Sequence, residues 1–451
     1  MLDELKDLIE KHLFTEKEVK QIVKKRTAFE TALVRRVAQK ADFLRYVSYE
    51  MGLEQLRRKR AARTKSESTI PSISDYALVR RQFQIFERAL KKFKADVALW
   101  IQYIQVAQRE GARALVGRIT ARALQLHPNQ PALYILAASH ELNHQSPSSA
   151  RTLLQRGIRL NAESIELWRE YVKMELGFVE SLRRRWEILG IGTTAQEKED
   201  DSAADPSNLI MPGVDQEVVS AEDSTEEETG AEARKEILQG AIVKSVMNSA
   251  AQALPKVELF DSLKRLLTEY PLPSSLQETL LEHLYNLLKE RLPGDAGAIK
   301  LRANRFLTPE LKGEALVEGL RRANEELVEA AGGDAREEVC EVYATFVEEW
   351  CKTAIDGNMK QYLISTLRSL CRHRESPSLL AAHIRVVTNT EDGAKALSLA
   401  RKYSRKARTS AGVWLARLEA ERRFGDRAEG AQRAAQGTVG EMEAVRTWKK
   451  D

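Results

Sequence analysis

The chain has few residues of the kinds that staple, coordinate metals or span membranes. Three cysteines occur in 451 residues, Cys340, Cys351 and Cys371. An odd, widely spaced set excludes a disulfide framework and a cysteine–histidine metal cluster. It predicts a reduced, intracellular setting in which the thiols fill core. No apolar run approaches the roughly 18 residues of a membrane span, and the richest short stretch, residues 132–138, is far too short, so no membrane partner is expected. The opening Met1-Leu2-Asp3-Glu4 carries neither the basic start nor the apolar core of a secretory signal. A glycine-rich phosphate loop is missing as well. Catalysis therefore lacks good candidate residues, and neither a cofactor nor a metal is expected.

What is present is charge, unevenly placed. Residues 1–190 carry 35 Lys+Arg against 22 Asp+Glu, residues 191–240 carry 3 against 14, and the remainder carries 33 against 30. A basic first part beside an acidic segment predicts separate roles, with anionic partners nearer the first. From about 190 to 230 the apolar periodicity collapses among acidic residues and prolines. That composition cannot bury enough surface to offset chain entropy, so a disordered acidic linker or insertion is expected over 191–232.

The organising feature is a ruler. Arg88, Arg122 and Arg156 are spaced 34 and 34 residues apart, and so are Trp100, Tyr134 and Trp168. Each aromatic opens a helix reading aromatic, i+3, i+7: Trp100, Tyr103, Ala107; Tyr134, Ala137, Glu141; Trp168, Tyr171, Glu175. Phe43, Tyr46 and Glu50 fit the same template one unit earlier, displaced by an insertion. Positions i, i+3 and i+7 share one helix face, so these residues are expected to pack repeat against repeat, together with the arginine boxes. A period near 34 with helical patterning inside it predicts an all-α, tetratricopeptide-like helical-repeat superhelix. Thr15 and Glu18 spell a capping box before a helix expected from 16 to about 40. Helical patterning resumes near 233, with Pro255 opening a helix and with echoes of the template at Tyr343, Phe346, Trp350 and at Trp414, Glu421. The expected organisation is an N-terminal region 1–82, regular repeats 83–190, the acidic segment 191–232 and diverged repeats 233–451.

Two local patterns invite chemistry. His140-Glu141-Leu142-Asn143-His144 matches the zinc-peptidase helix H-E-x-x-H. Glu141 is also the repeat's own i+7 position, and Ser146-Pro147 ends the helix just past His144, so the array accounts for the match without zinc. The basic run Arg57, Arg58, Lys59, Arg60, Arg63, Lys65 is a candidate nuclear import signal or phosphate-contacting patch.

The aromatic, i+3 aromatic, i+7 glutamate triplet followed by an Arg-Ala-Leu box resembles the half-a-tetratricopeptide (HAT) repeat. The N-terminal block is more specific: Leu13-Phe14-Thr15, Lys24-Lys25-Arg26-Thr27-Ala28-Phe29-Glu30, Asp42-Phe43-Leu44-Arg45-Tyr46 and Leu53-Glu54-Gln55-Leu56-Arg57. It resembles the family of U-three small nucleolar RNA-associated HAT-repeat subunits of the UTP-B module, in the small-subunit processome. That resemblance implies a non-enzymatic nucleolar scaffold in early 18S ribosomal RNA processing. It would sit beside WD-repeat subunits, near the U-three RNA and the 5′ external spacer. A HAT scaffold of messenger-RNA processing is the alternative within the binding class, and the zinc peptidase the one outside it.

Overall fold

The computed structural model describes residues 2–35, 37, 39–64, 73–188, 236–307, 312–332, 336–353, 356–390, 393–425 and 428–439. Among them every regular element is a helix. The expected acidic segment 191–232 and Lys65 lie outside the described residues. The chain divides into two compact units, Met1–Phe178 and Val179–Asp451.

The first unit contains α1 (Leu2–Glu10), α2 (Glu16–Val34), α3 (Lys40–Thr64), α4 (Ile73–Lys92), α5 (Val97–Arg109), α6 (Arg113–Leu126), α7 (Pro131–Asn143), α8 (Pro147–Leu160) and the start of α9 (Ile165–Ile188). Pairs α3/α4, α5/α6 and α7/α8 pack as hairpins, and α4/α5 and α6/α7 join one hairpin to the next. The Thr15 box forms as its spacing predicts. The Glu18 N–H donates to Thr15 Oγ1 at 3.4 Å, and the Thr15 N–H donates to Glu18 Oε2 at 2.9 Å. Helix α2 stops at Val34, earlier than the sequence pattern suggests: Leu33 is its last buried residue, while Val34 and Val37 face solvent, so nothing holds a further turn.

The hairpin turns repeat with the ruler. Gly111 and Gln145 occupy the left-handed region at φ 72° and 58°, 34 residues apart. The next residues close the same loop, with Ala112 N–H donating to Ala107 O and Ser146 N–H to Glu141 O, both at 3.0 Å. Pro131 and Pro147 sit in the first turns of α7 and α8, where a missing N–H costs nothing. One turn geometry, supplied by glycine in one repeat and by a strained glutamine in the next, thus sets the angle between paired helices.

The second unit stacks helices Ala241–Ala253, Val257–Glu269, Ser274–Arg291, Ala296–Ala303, Glu314–Gly332, Glu337–Lys352, Gly357–His373, Pro377–Asn389, Gly393–Lys406, Ala411–Phe424 and Ala428–Val439. Leu320, Leu327, Tyr343, Val347, Leu363, Leu367, Leu379 and Ile384 belong to one core that runs from Ile299 to Ala420. Cys340 and Cys371 are buried in that core and Cys351 is half-buried. Burial pushes the Cys371 thiol up to about 12, which makes it an unreactive filler.

Candidate interaction surfaces

The repeat seams are built from the template residues. Tyr46, Trp100, Tyr103 and Tyr134 are buried, as are Phe43 and Trp168, while Tyr171 is half-buried. Tyr46 stacks on Phe29 at 5.1 Å, and Tyr103 stacks on Phe86 at 5.0 Å, each on the ring 17 residues earlier. At Tyr103 and Tyr171 the hydroxyl meets a polar residue 16 earlier: Tyr103 donates to Glu87 Oε1 at 3.3 Å, and Tyr171 accepts from Gln155 Nε2 at 2.9 Å. The tryptophans carry one further device. The indole N–H of Trp100 donates to Lys94 O, that of Trp168 to Ala162 O and that of Trp414 to Arg408 O, at 2.9, 3.0 and 2.8 Å. In each case the carbonyl lies six residues upstream, so the ring ties down the loop that precedes its own helix. The bond at Trp414 extends the template into the second unit.

Arginine–glutamate pairs, which the spacing of the arginine boxes does not suggest, hold consecutive helices together. Arg26 donates Nε and Nη2 to the two oxygens of Glu50, both at 2.7 Å, with both side chains almost fully buried. Arg151 makes the same fork to Glu175 at 2.6 and 2.7 Å, and Arg401 pairs with Glu421 from 3.0 Å. Arg302 reaches Glu326 at 2.7 Å. Three of these pairs are separated by 24 residues, an interval visible in the sequence that could have located them. At Glu141 the position 24 earlier is Gly117, and the glutamate stays half-buried at the helix end.

Arg88, Arg122 and Arg156, expected in the packing seam, lie instead on the outside of α4, α6 and α8. Arg88 pairs with Glu30 and Arg122 with Glu87, through Nη1 at 2.9 and 3.0 Å, with 44% and 48% of the arginine side chains exposed. Exposed pairs of this kind stabilise little. The basic run is largely absorbed into the fold. Arg57 binds Glu54 and Asp75, Arg58 binds Glu54 and Glu110, and Arg60 binds Glu18 and Leu13 O while lying over the Phe14 ring. The hydrogen bond from Arg60, followed by the Thr15 N–H, holds the Glu18 carboxyl down at about 2. Lys59 and Arg63 remain exposed. Acidic residues from other helices fold over the arginines, so most of this run is not available as an open phosphate patch.

The two histidines of the H-E-x-x-H pattern place their rings 4.5 Å apart, edge to face. Burial, then the neighbouring His144, holds His140 below the ordinary histidine value, which favours its neutral form. No group of three or more metal-ligating side chains occurs among the described residues. In the second unit a groove of about 850 Å³ is lined by apolar residues that include Leu307, Phe346 and Trp350 and by Lys264, Lys300 and Glu341. No helix among the described residues is long and apolar enough to cross a membrane.

The N-terminal stretch is similar in sequence to known proteins. Residues 1–81, which contain the capping box, the Arg26–Glu50 fork and the Arg57 and Arg60 pairs, match the family model described as U3 small nucleolar RNA-associated protein 6. The Schizosaccharomyces pombe U3 small nucleolar RNA-associated protein 6 is 43% identical over 187 residues, 41% of this chain and 38% of that protein. The Mus musculus and Homo sapiens homologues are 38% identical over 184 residues and 35% over 187, each covering 41% of this chain and 31% of the relative. The match therefore spans less than two fifths of each relative. Among solved structures, yeast Tom70 pairs with 88% of this chain and 87% of its own, at 13% identity and a TM-score of 0.25, too loose for a helix-by-helix comparison.

Proposed function

We propose that this chain is a non-catalytic HAT-repeat scaffold of the small-subunit processome, acting in the nucleolus in early 18S ribosomal RNA processing. In this reading it is a subunit of the UTP-B module, held beside WD-repeat subunits and close to the U-three RNA and the 5′ external spacer. The observation that carries the reading is the 43% identity over 187 residues to a protein named for association with the U3 small nucleolar RNA. The architecture supports it, because stacked hairpins present long surfaces on which several partners can be held at once. The regions 1–82 and 83–190 would supply those surfaces, and 233–451 would extend them across the acidic segment.

The test is affinity purification of the tagged full chain from cells, with bound proteins and RNAs identified together. Recovery of pre-ribosomal RNA with WD-repeat subunits supports the proposal. Recovery of messenger-RNA processing factors without pre-ribosomal components overturns it.

A further inference from the structure

Charge in the first unit sorts by helix. Along α4, α6 and α8, the second helices of successive hairpins, the exposed residues include Arg80, Arg88, Lys91 and Lys92, then Arg113, Arg118 and Arg122, then Arg156 and Arg159. No Asp or Glu on these three helices is exposed, and α6 and α8 contain none at all. Of the partner helices, α5 exposes one basic residue, Arg109, and α7 none, while α3 exposes Arg45, Arg58, Lys59 and Arg63. The basic residues are also in register. Arg88, Arg122 and Arg156 recur every 34 residues on helices linked end to end by His127 Nε2 with Lys94 O at 2.8 Å and by Asn161 Nδ2 donating to Pro128 O at 3.2 Å.

From this arrangement we propose that the α4–α6–α8 face is a phosphate-binding surface for single-stranded RNA. The inference stands on charge and register alone and does not depend on which assembly the chain joins. Guanidinium groups suit phosphate because their planar forks donate two parallel hydrogen bonds to its oxygens. The ion pairs made by Arg88 and Arg122 use Nη1, on side chains that remain 44% and 48% exposed. The face exposes no tryptophan or phenylalanine, and its one exposed aromatic is Tyr76. Binding would therefore rest on the backbone and tolerate changes of sequence, with little base stacking.

The experiment uses the purified full chain and a fluorescently labelled 30-nucleotide poly(U) RNA, titrated at several salt concentrations. The quadruple variant R118Q/R122Q/R156Q/R159Q is expected to keep its helical content and melt, and to lose about tenfold to a hundredfold in affinity. The slope of log K against log salt should shrink by roughly 2–3, close to 0.7 per phosphate contact removed. The quadruple lysine variant R118K/R122K/R156K/R159K should retain most binding, and K59Q/R63Q should bind like the parent. Equal affinity and slope for the glutamine variant and the parent would overturn the proposal. So would tighter binding of a polyglutamate peptide of equal charge than of RNA at the same salt, which would make the face a site for an acidic protein segment. Either result leaves the scaffold reading standing, because protein contacts alone can hold a scaffold in its assembly.

Discussion

Removing Glu50 should cost far more than removing Glu175, although both carboxylates are fully buried and both accept an arginine fork. The difference lies in the cation left behind. Arg26 is 1% exposed, whereas the Arg151 side chain is 31% exposed and rests over the Phe178 ring at 5.0 Å. After Glu50→Ala the Arg26 guanidinium stays inside the α2–α3 contact with only Glu4 nearby, 3.9 Å from Nη1. Breaking a buried pair in this way costs about 3–5 kcal/mol. After Glu175→Ala, Arg151 can turn to water, and the loss falls to about 1–2 kcal/mol. Both sites lie in the unit Met1–Phe178, so one urea transition reports both. With an m-value of about 2 kcal/mol/M, the midpoints should drop by roughly 1.5–2.5 M and 0.5–1 M. The paired replacement Arg26→Met with Glu50→Leu should recover much of the loss, because it removes the stranded charge along with its partner. Equal shifts for the two single variants, or a larger one for Glu175→Ala, would refute the claim that burial of the arginine sets the cost.

Two further outcomes follow from particular contacts. Gly157→Ala should destabilise the first unit by about 1–3 kcal/mol despite the better helix propensity of alanine, since the new Cβ would lie 2.8 Å from Tyr134 Cγ; Tyr134→Leu in the same chain should relieve most of the loss in a thermal melt. His383 is held down at about 4 by burial, with Arg368 adding to the shift, and its Nδ1 lies 3.0 Å from Tyr403 Oη. The unfolded chain therefore binds a proton below 6.5 that the folded chain refuses. The His383 contribution is complete above 6.5 and is lost as pH falls toward about 4, at no more than about 1.4 kcal/mol per pH unit. Urea midpoints for the second unit between pH 7 and 5 should fall less steeply in His383→Gln than in the parent, and parallel lines would remove His383 from the account.

Much of the first unit can be read from the sequence because its period is carried by large residues whose positions cannot drift. Trp100, Tyr134 and Trp168 must each meet the preceding repeat, and a shift of one residue would turn the ring out of the seam. The forks are harder to read, since a pair such as Arg26–Glu50 spans two helices and is absent where Gly117 precedes Glu141 by the same 24 residues. The end of α2 was misplaced for a local reason: Val34 and Val37 continue an apolar pattern that no neighbouring helix covers. The run from Arg57 to Arg63 reads as an open basic patch because Glu18, Asp75 and Glu110, which close over it, come from other helices. Such partners are set by tertiary packing, and no property of the run itself announces them.

The ruler itself carries two sets of positions, and packing requires only one of them. The aromatics lie in the seams, where their register is fixed by contact with the preceding hairpin. Arg88, Arg122 and Arg156 keep the same 34-residue register twelve residues upstream, on the solvent side. The ion pairs of Arg88 and Arg122 are exposed and give the fold little, and Arg122 lying 5.5 Å over the Trp100 ring accounts for one of the three. Any polar residue would serve solubility equally well at these positions. A surface that repeats the same cation in the same register on the second helices of three successive hairpins therefore suits a partner that itself repeats its charge, as a phosphate backbone does. Substituting Arg88, Arg122 and Arg156 with glutamine should accordingly leave the melt nearly unchanged while weakening RNA binding, a separation that a purely structural role for the arginines does not allow.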